Sequence, residues 1–124
     1  LFGKEWQKLS KKNKDKTLGV NLRVLRLGGF RESPILLTES VNNNTTVFDD
    51  DQAFSIKQDD FFRIDARFYY TINKKGRSST LSLDIQNLSS MENAAFSYFD
   101  TRQQQVIVKN QLGIIPIINY RVSF

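Results

Sequence analysis

The sequence predicts an all-β protein whose antiparallel strands belong to a transmembrane β-barrel, and three observations support that prediction. The last twelve residues, Gly113–Phe124, place an apolar or aromatic side chain at every even position, and the sequence ends on Phe. The segment Asp60–Asn73 alternates apolar with charged or polar side chains, so each face of a strand there has one character. A long irregular segment, 30–59, contrasts with short polar turns elsewhere, which is the loop asymmetry of outer-membrane barrels.

Composition narrows the classes of protein that remain. The 124 residues suffice for one small domain, and the lack of Cys and His excludes a disulfide framework, a thiolate metal site and the usual general base. No apolar run is long enough for a transmembrane helix, a test that barrel strands of about 10 alternating residues escape. The sequence begins Leu1-Phe2-Gly3 without an initiator Met or a signal peptide, which predicts a piece of a longer secreted polypeptide.

The N-terminal part is predicted to contain a strand end, a turn and a full strand. Leu1–Trp6 is interpreted as the tail of a strand, with Trp6 at an interface. Lys8–Lys16 is interpreted as a polar turn, and since no aromatic residue interleaves with its lysines, no nucleic-acid partner is predicted despite the net charge of +5. Thr17–Gly29 alternates again, with apolar side chains on one face and two glycines at its end.

The segment 30–59 is predicted to be a long extracellular loop without regular structure. It contains Pro34, a run of three asparagines and the acidic run Asp49–Asp51. A loop of this length counts against a compact soluble fold, whereas barrels combine long extracellular loops with short periplasmic turns. The aspartates raise the question of a calcium site, but no glycine-bearing ligand spacing follows them. A solvated loop is therefore predicted, with no metal and no cofactor.

Two strands follow the loop, and their register can be derived from charge. Asp60–Asn73 is predicted to turn through two lysines and a glycine and to return as Arg77–Leu88. A turn centred on the second lysine and the glycine sets Arg67 opposite Asp84, whereas a turn centred one residue earlier sets Asp65 opposite Asp84. Like charges that face each other across a sheet are unfavourable, so the first register is predicted. Its further pairs are Asn73 with Ser78 and Ala66 with Ile85.

The polar faces of these strands are predicted to form the inner wall of the barrel. A shift of the strand register by one residue would turn charged side chains toward lipid, at a free-energy cost of about 2–4 kcal/mol for each Arg at the bilayer mid-plane. The face that each residue occupies is therefore predicted more firmly than its partner on the next strand. The residues predicted to face the lumen are Arg63, Asp65, Arg67, Asp84 and Arg121. A catalytic pair of Asp65 and Asp84 is the weaker interpretation, because the neighbouring arginines neutralise both carboxylates. No enzymatic activity and no catalytic residue are predicted.

The C-terminal part is predicted to be one long hairpin. Leu81–Phe99 and Gln105–Phe124 form its arms, with a turn at Asp100–Gln104 and a break near Ser89–Asn93. The hairpin is expected to project above the membrane, and its last arm is the closing strand of the barrel. A strand that ends flush on an apolar residue suits a barrel, where the last strand pairs with the first and leaves no edge.

Three stretches resemble the C-terminal barrel strands of TonB-dependent receptors of the Bacteroidetes type. They are Asp60–Arg67, Leu81–Leu88 and Gln111–Phe124, and Gly28-Gly29 followed by Ser33-Pro34-Ile35 is also similar to that family. The similarity spans nearly all of the chain, and its most specific parts are the Leu-Asp-Ile-Gln-Asn stretch and the terminal strand. Three residues of that strand resemble the C-terminal signal read by the outer-membrane assembly machinery: Tyr120, Val122 and Phe124.

The resemblance implies that residues 1–124 are the C-terminal part of a plugged barrel of about 22 strands, to which they contribute about four full strands and a stub of a fifth. It implies a transporter of the cell outer membrane that takes up nutrients actively through TonB, with this segment as barrel wall and extracellular loop. The implied partners are the rest of the barrel and its plug, TonB through the missing N-terminal part, the assembly machinery, membrane lipid and a surface lipoprotein. No substrate-binding residue is implied.

One alternative from another class stays open, a small soluble lipid-binding β-clam or lipocalin-like carrier of about this length. Its apolar faces would line an internal cavity, and its charged faces would meet water. This alternative explains neither the long loop nor the apolar terminal strand. The sequence also contains too few strands to close an independent barrel.

Overall fold

The computed structural model describes residues 1–9 and 14–124, and this part of the chain is mostly antiparallel β-sheet. The predicted all-β class is therefore confirmed. Its strands are β1 (Phe2–Lys8), β2 (Lys14–Leu27), β3 (Arg31–Glu32), β4 (Ile56–Lys57), β5 (Phe61–Lys74), β6 (Arg77–Gln86), β7 (Ala94–Asp100), β8 (Gln105–Asn110) and β9 (Ile115–Ser123). A short helix, α1, spans Leu37–Asn43. Within the described ranges, no helix has the length and apolar character needed to cross a membrane.

The chain divides into two compact units. The first consists of Leu1–Leu25, Arg63–Met91 and Gly113–Phe124, and we call it the sheet unit. The second consists of Arg26–Phe62 and Glu92–Leu112, and we call it the loop unit. Each unit is built from segments that are distant in sequence.

The sheet unit is one five-stranded sheet in the order β1-β2-β5-β6-β9. It contains four longer strands and the seven-residue β1, in line with the predicted strands and strand end. Lys8 of β1 pairs with Lys16 of β2, so strand pairing extends into the segment predicted to be a polar turn. The centre of that predicted turn, 10–13, lies outside the described residues.

The β5–β6 hairpin has the register that the charge argument predicts. Arg67 pairs with Asp84, and the further predicted pairs, Asn73 with Ser78 and Ala66 with Ile85, are also present. Gly76 forms the turn with φ of 73°, a left-handed conformation that glycine adopts without steric cost. Because the turn fixes the register of a short hairpin, the whole ladder follows from this one position.

The predicted C-terminal hairpin is divided into two ladders. β6 pairs with β9 from Ser78–Ser123 to Gln86–Ile115, whereas β7 pairs with β8 in a separate two-stranded sheet. The predicted closing strand, 105–124, is thus split between β8 and β9, and the part that continues the five-stranded sheet begins at Ile115. Backbone conformation explains the division, since Asn87 and Ser90 have φ of 52° and 51° and turn the chain out of the ladder.

The segment 30–59 contains regular structure, contrary to the prediction of an irregular loop. It includes the β3–β4 ribbon, α1 and a single bridge between Ile35 and Phe48. Ser40 of α1 is fully buried, and its Oγ accepts a hydrogen bond from the Val47 N–H at 3.0 Å. These elements are too short to show a periodicity, so the sequence pattern does not reveal them.

The loop unit has a small core of its own. Phe61 and Phe99 are 7% and 5% exposed, and the ring of Phe61 meets Phe30 edge-on with centroids 6.3 Å apart. The Phe99 N–H donates to Thr46 Oγ1 at 3.1 Å, which ties β7 to the segment after α1. Glu32 accepts hydrogen bonds from side chains on β7 and beside β4. The long loop is therefore a folded module.

Candidate functional site

The two faces of the sheet unit differ in chemistry. Directly paired residues share a face of the sheet. The odd-numbered residues of β1 and β2 therefore lie on one face together. The odd-numbered residues of β5 and β9 likewise share a face with the even-numbered residues of β6. The Arg23–Asp65 ion pair joins the odd sides of β2 and β5. We call this side the polar wall and the other side the apolar face. All residues predicted to face the lumen lie on the polar wall: Arg63, Asp65, Arg67, Asp84 and Arg121.

Asp65 is the most densely bonded residue of the polar wall. Its side chain is 12% exposed, and Oδ2 accepts from Arg23 Nη2 at 2.6 Å and from Arg23 Nε at 2.9 Å. Arg63 Nε lies 3.0 Å from Oδ1, and the Asn87 N–H donates to that oxygen at 3.0 Å. Two guanidinium groups and an amide thus occupy both oxygens, so Asp65 links three parts of the chain.

Asp84 forms a second, more open cluster on the same wall. Arg67 Nε lies 3.4 Å from Asp84 Oδ1, and Asn119 Nδ2 donates to Oδ2 at 3.1 Å. Arg67 Nη2 also donates to Ser82 Oγ at 3.4 Å. The side chains of Arg67 and Asp84 are 50% and 23% exposed, so this pair is screened by solvent more than the Asp65 cluster is.

Arg121 lies on β9 opposite Thr80 and at the rim of a polar groove. The groove has a volume of about 270 Å³, and Arg67, Ser82 and Asn119 also line it. Its chemistry is that of paired charges, hydroxyls and amides. Such a surface can hold water or another polar protein surface.

Close packing between β2 and β5 depends on Gly19. A Cβ atom at this position would collide with the ring of Tyr69, so the ring lies directly over the glycine. The Tyr69 hydroxyl then reaches β1 and donates a hydrogen bond to the Glu5 carboxylate. One tyrosine therefore connects three strands of the polar wall.

The apolar face is open to the surroundings over its whole width. Leu18, Phe68 and Leu81 are 49%, 43% and 51% exposed, and Ile118 and Tyr120 reach 76% and 65%. A shallow apolar groove of about 290 Å³ crosses β2, β5, β6 and β9 there. A contiguous exposed surface of this kind marks contact with lipid or with another protein.

The residues predicted to form a C-terminal assembly signal share this apolar face. They are Tyr120, Val122 and Phe124, of which the first two pair with Leu81 and Ser79 of β6. Phe124 is 96% exposed, and the guanidinium of Arg77 lies 5.5 Å from the centre of its ring. Their role as a signal stays a prediction, whereas their common placement at the end of β9 is a structural fact.

Two buried asparagines, neither of them predicted from the sequence, hold the chain where it leaves the sheet. Asn87 is 3% exposed, and its side chain bonds both N–H and C=O of Met91. Asn93 is 7% exposed, and its amide exchanges two hydrogen bonds of 2.9 Å with the backbone of Phe62, as a paired strand residue would. The available signal was an Asn near a predicted break in the hairpin, since this residue bonds local backbone and tolerates left-handed conformations.

In the loop unit, Asp60 binds three donors just before β5. Its carboxylate accepts from the Gly29 N–H at 3.2 Å and from Arg26 at 3.4 Å, and Lys57 Nζ lies 3.5 Å away. The Gly29 hydrogen bond, then the Arg26 hydrogen bond and the Lys57 charge, lower the pKa of Asp60 below its ordinary value. Gly29 is required here because a Cβ would collide with the Gln58 carbonyl.

Comparisons with protein-family models, curated proteins and solved structures give no match for this chain. Function is therefore inferred from the two faces of the sheet unit and from the way its strands are connected.

Proposed function

We propose that the chain is the C-terminal segment of an outer-membrane TonB-dependent transporter, in which it forms barrel wall and an extracellular module. The observation that carries this proposal is the division of the sheet unit into an exposed apolar face and a polar wall whose Asp65 and Asp84 are paired with arginines. Strands that alternate lipid-facing and lumen-facing residues have this division. In a soluble single-layer sheet, the same apolar face would be left in water at a cost in free energy.

The dimensions of the sheet suit a bilayer. β2 and β5 each have 14 residues, which at about 3.3 Å per residue and a tilt of about 40° cover roughly 35 Å. Within β5, the apolar side chains from Ile64 to Ile72 span about 20 Å of membrane depth by the same arithmetic, close to the apolar band of about 25 Å in such barrels.

The connections between strands are asymmetric in the way that barrels require. The β5–β6 turn and the end of β9 lie at the same end of the sheet unit, since β6 pairs with both strands along its length. The connections from β2 to β5 and from β6 to β9 contain the segments of the loop unit. A short β5–β6 turn and two long, structured connections match the periplasmic and extracellular connections of such barrels.

The assignment to TonB-dependent transporters depends on the resemblance of the three C-terminal stretches. In this proposal, β9 closes a barrel of about 22 strands against its first strand, and the polar wall faces the plug. TonB acts through the part of the polypeptide that precedes Leu1. The loop unit would contact the nutrient or a surface lipoprotein, and shortening it within α1 should then alter uptake. Unaltered uptake in that variant would count against a role for the loop unit.

Fractionation of the native source tests the membrane location. We expect peptides of this sequence in the outer membrane, on a polypeptide several times longer than 124 residues and with heat-modifiable mobility. Finding them on a soluble chain of about this length would overturn the proposal. It would favour the lipid-binding carrier, whose apolar face must turn inward around a ligand.

A further inference from the structure

At the end of the sheet unit that carries the β5–β6 turn, basic side chains lie on the apolar face. Lys8 pairs with Lys16, and Lys74 pairs with Arg77. Strand alternation places these four residues on the side of the apolar face, and the contact of Arg77 with the ring of Phe124 agrees with that placement. We call these four residues the basic rim.

Both pairs of the basic rim are like-charge pairs that face each other across the sheet. Such pairs are unfavourable by themselves, because two ammonium or guanidinium groups are held side by side. The acidic residues of the described strands in the sheet unit all have the parity of the polar wall: Glu5, Asp15, Asp65 and Asp84. The positive charge of the rim therefore calls for negative charge from outside the apolar face.

A row of aromatic residues lies next to the basic rim on the same face. Tyr70 and Tyr120 both pair with Leu81, and Trp6 pairs with Leu18. Same-face neighbours are about 6.6 Å apart along a strand, so the residues of the basic rim follow this row by one or two steps toward the β5–β6 turn. Tyr and Trp side chains with this placement occupy the interface between hydrocarbon and headgroups. The basic rim then lies at the depth of the headgroups.

We propose that the basic rim binds the phosphate groups of anionic phospholipids in the leaflet at the short-turn end. This inference depends on the membrane location proposed above and adds a lipid preference to it. Phosphodiester headgroups supply the negative charge, and the long Lys side chains can extend from an apolar surface toward them. Each basic residue near an anionic surface favours association by roughly five-fold at low salt, an effect that screening reduces.

The test compares lipid contacts of matched variants. The full-length polypeptide is reconstituted in phosphatidylcholine bilayers that contain spin-labelled phosphatidylglycerol or spin-labelled phosphatidylcholine, and the motionally restricted fraction of each is measured. The rim variant replaces Lys8, Lys16 and Lys74 with Gln. The control variant makes the same change of charge in the loop unit by replacing Arg31, Arg102 and Lys109 with Gln.

We expect the unsubstituted protein and the control to restrict phosphatidylglycerol several-fold more than phosphatidylcholine, and the rim variant to lose most of this preference. High salt should reduce the preference of the unsubstituted protein in the same way. Equal restriction of the two lipids, or a preference that the rim variant retains, would overturn the inference while leaving the transporter proposal intact. Absence of any restricted lipid would instead refute the membrane location, and both proposals with it.

Discussion

Replacing Ile118 with Arg separates a membrane location of the apolar face from an aqueous one. Ile118 lies on β9 in the row that contains Leu83 and Phe68, the middle of five apolar rows on β5 from Ile64 to Ile72. Its side chain is 76% exposed, so few protein contacts would be lost by the substitution. The surroundings of the face therefore determine the cost.

The two locations predict different magnitudes. In water, a substitution at so exposed a position changes the free energy of unfolding by about 0.5 kcal/mol or less. In a bilayer, an Arg at mid-depth on the lipid face costs about 2–4 kcal/mol. That cost corresponds to a decrease of roughly 30-fold to 700-fold in the folding equilibrium constant.

Urea titration of the full-length protein in phospholipid vesicles measures this difference, with the folded fraction read from heat-modifiable mobility. Asn119→Arg is the matched control, because Asn119 is the next residue of β9 and faces Asp84 on the polar wall. We expect the control to be nearly neutral, since it adds a cation beside a carboxylate. Equal stability of the two Arg variants would refute the assignment of the faces to lipid and lumen.

Three further predictions concern single carboxylates and the C-terminus. Asp65→Asn should lower the free energy of unfolding by about 1–3 kcal/mol, because it removes the charge that partners two guanidinium groups, and the same titration measures this loss. Phe124→Asp should reduce the folded outer-membrane population if Phe124 ends an assembly signal, and an unchanged heat-modifiable barrel would refute that role. Because the pKa of Asp60 in the folded state lies below its ordinary value of 3.8, its stabilising effect is complete above that pH and is lost as the pH falls through the folded value. The protection of the Gly29 N–H against hydrogen exchange, relative to an unstructured amide at the same pH, should decrease in that acidic range. In Asp60→Asn, this pH-dependent decrease should be absent.

Local patterns in the sequence predict the strands and the β5–β6 register. Alternation marks a strand wherever one face differs from the other, and a hairpin turn brings its two strands together without any distant information. The Arg67–Asp84 pairing could be predicted because a misplaced turn would have opposed two aspartates. The sequence does not predict the split of the closing strand or the regular structure in 30–59. Residues in the left-handed conformation and single side-chain contacts determine both features.

The polar wall could be predicted only in part. Periodicity identifies Asp65 as a wall residue, but its strongest partner, Arg23, is 42 positions away, and the pairing of β2 with β5 is not encoded in either strand alone. The buried Asn87 and Asn93 act by bonding to backbone. Composition gives no indication of such contacts, since Asn44, Asn73 and Asn110 are exposed.

The composition of the loop unit from two separate segments has a kinetic consequence. Arg26–Phe62 and Glu92–Leu112 must meet across the intervening Arg63–Met91, and closing a flexible loop of that length costs about 3 kcal/mol in chain entropy. The paired part of the β5–β6 hairpin, from Ala66 to Ile85, lies within the intervening stretch and, once formed, shortens the effective loop. The hairpin is thus expected to fold first. A substitution at Gly76 would therefore delay the folding of the loop unit, although Gly76 belongs to the sheet unit.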